Sequence, residues 1–365
     1  MSRIAFIKFG GLATGGTEVF LQTLAANLSN LDFKVDYFYC DSAPYIGSDW
    51  IHPDTDKYRK KYIESSNVFL KKFSVKAKNI TVSTHDWVDS NFWELFDEKN
   101  YELVISARAG HPEYPFNKIQ NTPIINFVTL NAGVDNQNNI FKNVLISDWA
   151  GKQWLNSGGD PSKLEVHPLL REIKLNKETL PPKKKDVFTF GFHQRNNNDI
   201  YSEIPLLAYS KIMSKKTQFV LLGGSKQYTD QANELKLINF KQLDHTGNDL
   251  EIHKFLNSLN VFTHGRSDGE TFGLVFTEAM FHGLPMVSHE AQNNAQREVV
   301  GDAGKVFLQD DVVGYATEMF RLKNNPNYYD QLSKIALDRY TKYYSFDSNF
   351  GNLIDLISRG LQYKY

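Results

Sequence analysis

Short apolar runs alternate with amphipathic stretches at the start of the chain. Residues 4–9 form an apolar run that ends in glycines, and residues 35–39 form a second run of strand type. Between them a helical pattern begins near Thr17 and places several apolar residues on one face, namely Val19, Phe20, Leu24, Ala25 and Leu28. A strand, a glycine turn, a helix and a strand open a βαβ unit, which predicts a parallel sheet. Further short apolar strands are predicted at 103–106, 124–128 and 143–147.

The rest of the chain predicts a second α/β domain. Residues 41–100 are polar and aromatic without a clear period, which predicts helices and loops on the outside of the first domain. Residues 180–186 contain two prolines and three lysines, and this composition is typical of an exposed linker. Strands are then predicted at 187–192, 219–222, 261–264 and 286–288, with helices at 204–213, 276–282 and 327–365. We therefore expect two doubly wound domains, with a cleft where the carboxyl ends of their strands face each other.

Composition narrows the class of protein. A chain of 365 residues is long for one hydrophobic core and favours two domains. Its 41 Lys and Arg residues nearly balance 42 Asp and Glu residues, so no global field favours binding to nucleic acid. Cys40 is the only cysteine, which excludes an internal disulfide and favours a reducing compartment. We expect no cleaved leader, because the start of the sequence has a strand pattern, and no apolar run approaches the roughly 20 residues that cross a bilayer. We expect a cytoplasmic protein that is soluble or at most peripheral to a membrane.

A glycine-rich turn joins the first strand to the first helix. It includes Gly15 and Gly16 and is followed by Thr17. Glycines at this place let backbone N–H groups approach a phosphate, which the helix N-terminus also attracts. The spacing fits neither a dinucleotide-binding fingerprint nor a P-loop. A tight turn with Thr17 as helix N-cap explains the segment equally well.

Glu270 and Glu278 lie on either side of the predicted start of a helix. Residues 264–287 have the pattern of a strand, a glycine-containing loop and then this helix. One carboxylate lies at the loop tip and the other about two turns along the helix, so they can bind two separate sets of hydroxyls. Between them lie backbone N–H groups that suit a diphosphate, those of Phe272, Gly273 and Leu274. This order of partners fits a sugar, a diphosphate and a ribose.

The segment resembles the retaining GT-B glycosyltransferases of family 4, whose donor site carries two glutamates separated by seven residues. The shared frame is Glu-x-Phe-Gly-Leu-x-x-x-Glu-Ala-Met followed by Gly-x-Pro-x-Val, from Glu270 to Val287. The stretch from Gly15 to Glu18 resembles the family's N-terminal Gly-Gly-x-Glu turn, whose glycine packs against the donor phosphates. By this resemblance Glu270 contacts hydroxyls of the donor sugar and Glu278 contacts those of the ribose. The amides near Gly273 and Leu274 hold the phosphates.

The resemblance implies a fold, a reaction and a set of partners. The fold is GT-B, with a Rossmann-like acceptor-side domain at 1–180, a Rossmann-like donor domain at 187–345, and a helical tail at 346–365 that can return to the first domain. The reaction is transfer of a sugar, a hexose by expectation, from a nucleoside-diphosphate sugar to a hydroxyl of a glycan, lipid or polysaccharide precursor. Retention of configuration is implied, with no bound metal and no other cofactor.

The second domain departs from the family pattern after its first strand. Gly191 matches the family's Gly-Arg position at the strand end, but Phe192 stands in place of the arginine and no Lys-Gly pair follows. Arg195 is the only cation nearby in the sequence, and we predict that it neutralises the diphosphate. Gly224 belongs to a Gly-Gly pair that resembles the family's turn after the next strand. Residues 240–246 correspond to the region of the base pocket.

The first domain departs from the pattern as well. In the family a histidine that follows a strand near the cleft contacts the donor sugar. Here the predicted strand at 103–106 is followed by Arg108 and His111, and either side chain is a candidate for that role.

Other motifs fit other chemistries less well. The residues from Asp54 to Asp56 have the Asp-x-Asp form of a metal site, but in a polar loop of the first domain. The histidines are scattered over several predicted elements and form no metal-ligand set. A dinucleotide-dependent oxidoreductase would need an acidic residue at the end of the second strand, where Asp36 and Asp41 are out of register. Two alternatives stay open: a nucleotide-sugar epimerase or hydrolase of GT-B fold, and a nucleotide-sugar-binding protein without catalysis.

Overall fold

The computed structural model describes residues 1–8, 12, 15–40, 62–73, 91–108, 118–130, 133–181 and 186–365. The chain divides into two compact units. The first comprises Met1–Glu172 together with Asn349–Tyr365, and the second comprises Ile173–Ser348. Each unit is built on a parallel sheet. The predicted fold class of two Rossmann-like α/β domains is confirmed.

In the described part of the first unit, seven parallel strands form one sheet in the order β3-β2-β1-β4-β5-β6-β7. The strands are β1 (Arg3–Lys8), β2 (Lys34–Cys40), β3 (Phe69–Phe73), β4 (Leu103–Arg108), β5 (Ile124–Val128), β6 (Ile140–Leu145) and β7 (Leu164–Val166). The α-helices are α1 (Gly16–Ser29), α2 (Phe92–Leu95) and α3 (Asp148–Asn156). The strand order reverses between β1 and β4, so the topological switch point lies between these two strands.

The core of the first unit follows from its apolar pattern. β5 is buried at every position, as expected of a central parallel strand. The five apolar residues predicted on one face of α1 are all buried against the sheet. For example, the ring of Phe20 on α1 meets that of Phe127 on β5 edge to face, with 4.9 Å between their centroids. Burial of this face stabilises α1 more than its intrinsic propensity does.

Within residues 173–181 and 186–348, the second unit forms a six-stranded parallel sheet in the order β10-β9-β8-β11-β13-β15 and a two-stranded ladder of β12 and β14. The strands are β8 (Phe188–Gln194), β9 (Thr217–Gly223), β10 (Phe240–Leu243), β11 (Val261–Thr263), β12 (Gly269–Glu270), β13 (Met286–His289), β14 (Asn293–Asn294) and β15 (Gly304–Phe307). The α-helices are α4 (Ile204–Ile212), α5 (Lys226–Glu234), α6 (Asp249–Ser258), α7 (Leu274–Phe281), α8 (Gln296–Val300), α9 (Val312–Asn324) and α10 (Pro326–Arg339). The strand order of the main sheet reverses between β8 and β11.

The last helix, α11 (Phe346–Gln362), leads the chain from the second unit back into the first. Its apolar face buries Leu353, Leu356 and Ile357. Arg359 donates two hydrogen bonds to the carboxylate of Glu165, at 2.6 and 3.1 Å. These contacts explain why residues 349–365 belong to the first unit.

Three features differ from the expectations of the sequence. β3 lies in a stretch that predicted only helices and loops, because only Phe73 of its five residues is buried and the strand has no clear apolar pattern. β6 begins at Ile140 rather than 143 and ends before Ser147, whose hydroxyl instead caps α3. The units divide after Glu172, whereas the linker was expected at 180–186. Pro181 is exposed but belongs to the second unit, and its carbonyl accepts a hydrogen bond from Asn257.

Within the described residues, no helix combines the length and the apolar character that crossing a bilayer requires.

Candidate donor site

The candidate site of the second unit lies at the switch point of its sheet. β8 and β11 are paired neighbours, with Phe190 opposite Val261 and Gly191 opposite Phe262. The loop after β8 carries Arg195, and the loop after β11 leads to Glu270. Ligands of open α/β sheets bind at such a point, outside the carboxyl ends of the strands. The fold therefore brings Arg195 and Glu270 to one place.

Helix α7 begins at a glycine in the left-handed conformation. Gly273 has φ of 86° and is the N-cap, and no side chain caps the first turn. A Cβ at Gly273 would approach the Phe276 ring to 2.7 Å, so both space and conformation require glycine. The first N–H groups of any helix lack intrahelical acceptors and attract anions. The predicted diphosphate seat at Phe272, Gly273 and Leu274 is thus the N-terminus of a helix.

The carboxylate of Glu270 is surrounded by positive or donating groups. Its Oε1 atom is 3.4 Å from Nη1 of Arg266 and 3.4 Å from Nε2 of His264. Burial alone would raise the pKa of Glu270, but Arg266, His264 and Arg195 outweigh burial and lower the pKa to about 2. Glu270 is therefore ionised throughout the neutral pH range.

The backbone of Glu270 is fixed as firmly as its side chain. Gly269 and Glu270 form β12 and pair with Asn293 and Asn294. Gly269 has φ of 72°, and a Cβ there would lie 1.8 Å from the carbonyl oxygen of Asn293. The N–H of Glu270 donates to Oε1 of Gln296 at 3.1 Å, and Nε2 of Gln296 donates to the carbonyl of His289 at 3.0 Å. Gln296 is fully buried and ties the Glu270 loop to the end of β13.

Glu278 is buried on α7, with 2% of its side chain exposed. Its Oε2 atom is 3.0 Å from Nε2 of His193 near the end of β8. A carboxylate this deep in a protein requires polar partners, because an isolated buried charge is costly. Glu278 therefore does not lie on a solvated helix face, which was the ordinary alternative for a pair of glutamates in this pattern.

Two arginines are close to Glu270, where the sequence indicated only Arg195. Arg195 is exposed, and the charges of Arg266, Glu270 and Asp268 act on its guanidinium group. Arg266 donates to both carboxylate oxygens of Asp268 as well as to Glu270. The pKa of Arg266 is raised, since these carboxylates outweigh its burial. Arg266 is thus a second cation beside Glu270, four residues earlier on a folded-back loop, and the sequence did not indicate it.

Gly191 and Gly224 have packing roles in the structure. Gly191 lies inside β8, three residues before the strand ends, rather than at the strand end. A Cβ there would lie 2.0 Å from the carbonyl oxygen of Val220 on the neighbouring strand. Gly224 has φ of 79°, and Gln242 donates to the carbonyls of Gly223, Gly224 and Ser225. Both glycines thus allow the backbone geometry of the strands and turns that support the site.

In the first unit the glycine turn leads directly into α1. The N-cap is Gly15 with ordinary extended backbone, and the helix begins at Gly16, so Thr17 is not the cap. The Thr17 hydroxyl instead donates to that of Thr129 at 2.9 Å. Nζ of buried Lys8, at the end of β1, is 3.4 Å from Oε1 of Glu18. Gly15 and Gly16 are exposed.

Several predicted or weighed residues lie outside the described part of the chain. They include His111, Asp54 and Asp56, and of Arg108 only the backbone is described. Among the described residues, no group of three or more His, Cys, Asp and Glu side chains could hold a metal ion. Asp36 lies in the middle of β2 rather than at its end. Its carboxylate forms ion pairs with Arg3 and Lys71. It is not placed as the ribose-binding acid of a dinucleotide site.

The comparisons with known proteins agree with this geometry. Residues 186–325 match the family model described as glycosyl transferases group 1, and this range includes Arg195, Glu270 and Glu278. No curated protein matches the sequence significantly.

Solved structures cover nearly the whole chain. HepE of Anabaena, solved in complex with UDP and glucose, superposes with a TM-score of 0.73 at 13% identity, over 98% of this chain and 100% of that one. A glycosyltransferase from Rickettsia africae ESF-5 gives 0.74 at 12% identity, over 100% and 99%. Sucrose-phosphate synthase from Thermosynechococcus elongatus gives 0.71 at 14% identity, over 98% and 100%. At such identities the likeness establishes the fold.

The chain is a glycosyltransferase of the GT-B fold.

Sequence reasoning missed several residues around the two glutamates of this glycosyltransferase. They are His193, His264, Arg266 and Gln296. Two of them had a signal, because His193 and His264 come at the ends of strands that a doubly wound order makes neighbours, and such ends meet at the site. The contact of Arg266 with Glu270 depends on the path of the loop, and the contact of Gln296 depends on the β12–β14 pairing. Neither pattern is visible in the sequence.

Proposed function

We propose that this glycosyltransferase is a retaining enzyme of family 4 that transfers a hexose from a nucleoside-diphosphate sugar to a hydroxyl of a glycan, lipid or polysaccharide precursor. The arrangement that carries the proposal is Glu270 and Glu278 on either side of the N-terminus of α7. The match to glycosyl transferases group 1 over this region supports it. The complex of HepE with UDP and glucose supports a nucleotide-sugar donor.

Glu270 is suited to the donor sugar. Its low pKa gives it a full negative charge at neutral pH, so it can only accept hydrogen bonds, and sugar hydroxyls supply donors. The sugar ring gains positive charge as its bond to the diphosphate breaks. A fixed carboxylate beside the ring is therefore more strongly attracted to the transition state than to the bound donor.

The N-terminus of α7 and the two arginines are suited to the diphosphate. The helix N-terminus carries about half a positive charge, and Gly273 leaves its amides uncovered by a side chain. Arg266 lies 3.4 Å from Glu270, and the charges of Arg195 and Glu270 influence each other. We assign to these groups the stabilisation of the leaving diphosphate. Glu278, farther along the helix, would accept hydrogen bonds from the ribose.

In the proposed step the bond between the anomeric carbon and the diphosphate oxygen breaks. A bond from the anomeric carbon to the acceptor oxygen forms on the same face of the sugar, which gives retention. The proton of the acceptor hydroxyl passes to an oxygen of the leaving diphosphate. No protein base and no metal take part in this scheme.

The first test is a binding screen followed by turnover. Nucleotide sugars should raise the melting temperature, since a ligand at a hundred times its Kd adds about 2.7 kcal/mol of stability. With a matching acceptor, free nucleoside diphosphate should appear, and the product should keep the donor's anomeric configuration by NMR. The Glu270→Gln variant, prepared identically, controls for contaminating activity.

Each other outcome would indicate a different function for this protein. Release of diphosphate at the same rate without acceptor would indicate a hydrolase, and conversion of the donor sugar without release would indicate an epimerase. Binding with no turnover against a broad acceptor panel would indicate a nucleotide-sugar-binding protein. Loss of turnover in excess chelator, with recovery on adding magnesium or manganese, would contradict the metal-free scheme.

A further inference from the structure

His193 lies one residue before the end of β8, where side chains alternate between the two faces of the sheet. On one face, Phe192 packs on Tyr228, and Gln194 donates to the carbonyl of Gly265. His193 points to the opposite face, where its ring contacts that of Phe262 and reaches Glu278 on α7. The substitution of Phe192 for the family's arginine therefore puts an aromatic side chain into the core and leaves His193 as the polar side chain that faces α7.

The contact between His193 and Glu278 joins two largely buried groups. Nε2 of His193 and Oε2 of Glu278 are 3.0 Å apart, with 15% and 2% of the side chains exposed. At this distance the imidazole ring and the carboxylate are in direct polar contact, so each restricts the orientation of the other.

This contact limits how Glu278 can meet a ligand. With Oε2 directed at His193, the carboxylate cannot rotate freely, and Oε1 has a defined direction. A ligand hydroxyl that binds to a pre-oriented acceptor avoids the entropy cost of fixing that side chain. This gain in affinity applies only to the part of the ligand that Glu278 contacts.

We infer that His193 is a positioning residue for Glu278, and that it sharpens recognition of the ribose hydroxyls of the donor nucleotide. The inference rests on the proposed function, in which Glu278 binds the ribose. It predicts that the discrimination between ribose and deoxyribose nucleotides depends on a histidine that does not touch the nucleotide.

The test compares nucleotides that differ only in the ribose hydroxyls. Binding of UDP, ADP and GDP is measured by calorimetry beside the 2′,3′-dideoxy analogue of each, and the best-bound pair is used for the variants. In His193→Leu the Kd of the ribose nucleotide should rise about tenfold, as for loss of one hydrogen bond to a charged group. The Kd of the dideoxy analogue should change less than about twofold, since it has no hydroxyl for Glu278 to bind.

Three further variants separate positioning from general damage. His193→Gln can place an N–H near the position of Nε2 and should recover most of the discrimination. Glu278→Gln should reduce discrimination at least as much as His193→Leu. His253→Leu removes another buried histidine of the same unit, whose ring contacts His282 at 2.9 Å. If it weakens binding at all, it should weaken both nucleotides equally. In turnover, His193→Leu should raise the donor KM by a larger factor than it lowers kcat.

The outcomes distinguish this inference from the proposed function. If the wild-type protein binds no nucleoside diphosphate, or binds ribose and dideoxy forms equally, the ribose role of Glu278 is wrong and the inference falls with it. If the wild type discriminates and Glu278→Gln does not, but His193→Leu keeps full discrimination at unchanged melting temperature, only the role of His193 is wrong. Equal weakening of both nucleotides in His193→Leu would reduce His193 to a structural residue.

Discussion

Glu270 and Glu278 have the same side chain and opposite surroundings. Glu270 lies among two arginines and a histidine, which lower its pKa to about 2. Glu278 is buried on the helix and faces the neutral or positive ring of His193. The first environment fixes a charge that can act on a developing positive charge, and the second orients an acceptor for a fixed hydroxyl.

Removing the charge of Glu270 and removing that of Glu278 should therefore change different kinetic parameters. Glu270→Gln should lower kcat more than it raises the donor KM, because its contact strengthens in the transition state. Glu278→Gln should mainly raise the donor KM, because ribose binding is the same in both states. Steady-state kinetics with the donor found in the binding screen measures both effects.

Free nucleoside diphosphate is the control for this pair, since it has the ribose and lacks the sugar. Its Kd should rise in Glu278→Gln and stay nearly unchanged in Glu270→Gln. If both variants lose the free nucleotide equally, or if neither does, the assignment of sugar and ribose to the two glutamates is wrong.

At the residue scale, the sequence could predict the groups that a local motif carries and few others. The frame from Glu270 to Val287 predicts the two glutamates and the helix between them because all of these parts are contiguous. The neighbours of the glutamates come from β8, the loop after β11, and α8, so their contacts depend on tertiary structure. Arg195 was predicted near the site because it follows a strand end, and the electrostatic influence of Glu270 on it agrees with that placement.

At the element scale, α7 is bounded by two glycines that have different roles. Gly273 begins the helix at φ of 86°, and Gly283 follows its end at φ of 63°. Both positions disfavour any residue with a Cβ by about 1–2 kcal/mol. Only the first end carries the amides that we assign to the diphosphate.

Alanine at these two positions separates stability from binding. Gly273→Ala and Gly283→Ala should both lower the melting temperature. Only Gly273→Ala should also weaken binding of the nucleoside diphosphate, because its Cβ would displace Phe276 and crowd Glu270 at the site. At Gly283 the Cβ would meet the flexible side chains of Leu337 and Ser333 instead. Calorimetry well below both melting temperatures measures the binding.

Comparable weakening in Gly283→Ala, or unchanged affinity in a folded Gly273→Ala variant, would contradict the diphosphate seat at the start of α7. The first result would point to a global change of the helix. The second would move the diphosphate away from these amides.

The sequence predicts central strands better than edge strands. β5 is predicted at its observed residues because a strand buried on both faces is apolar throughout. β3 and β7 are short edge strands with few buried residues, and pairing with a neighbour rather than burial defines them. The short ladder of β12 and β14 is set by a glycine conformation and a close backbone approach, which composition does not reveal.

At the scale of the whole molecule, the first unit is discontinuous in sequence. Residues 349–365 belong to it although the entire second unit precedes them. Leu353, Leu356 and Ile357 are buried there. Burying three such side chains contributes about 5–9 kcal/mol, which is comparable to the whole stability of many domains.

A chain that ends at Ser348 should therefore have an unstable first unit. We expect its melting temperature to fall by at least about 10 °C, as a loss of some 5 kcal/mol implies for a unit of this size. The control ends at Gln362 and keeps α11, but it lacks the hydrogen bonds of Tyr363 and Tyr365. It should melt within a few degrees of the full chain. If the full chain and the chain that ends at Ser348 have the same melting temperature, α11 contributes little to the stability of the first unit.

The return of α11 also has a consequence for the order of synthesis. The side chains of Leu103 and Ile125 lie against Gly360, which the ribosome adds only after the second unit is complete. At about 5–20 residues per second, the intervening unit takes roughly 10–35 seconds to make. During that interval we expect the nascent first unit to leave the apolar surface that α11 later covers open to solvent and to chaperones. The first unit to emerge from the ribosome is thus the last to be completed.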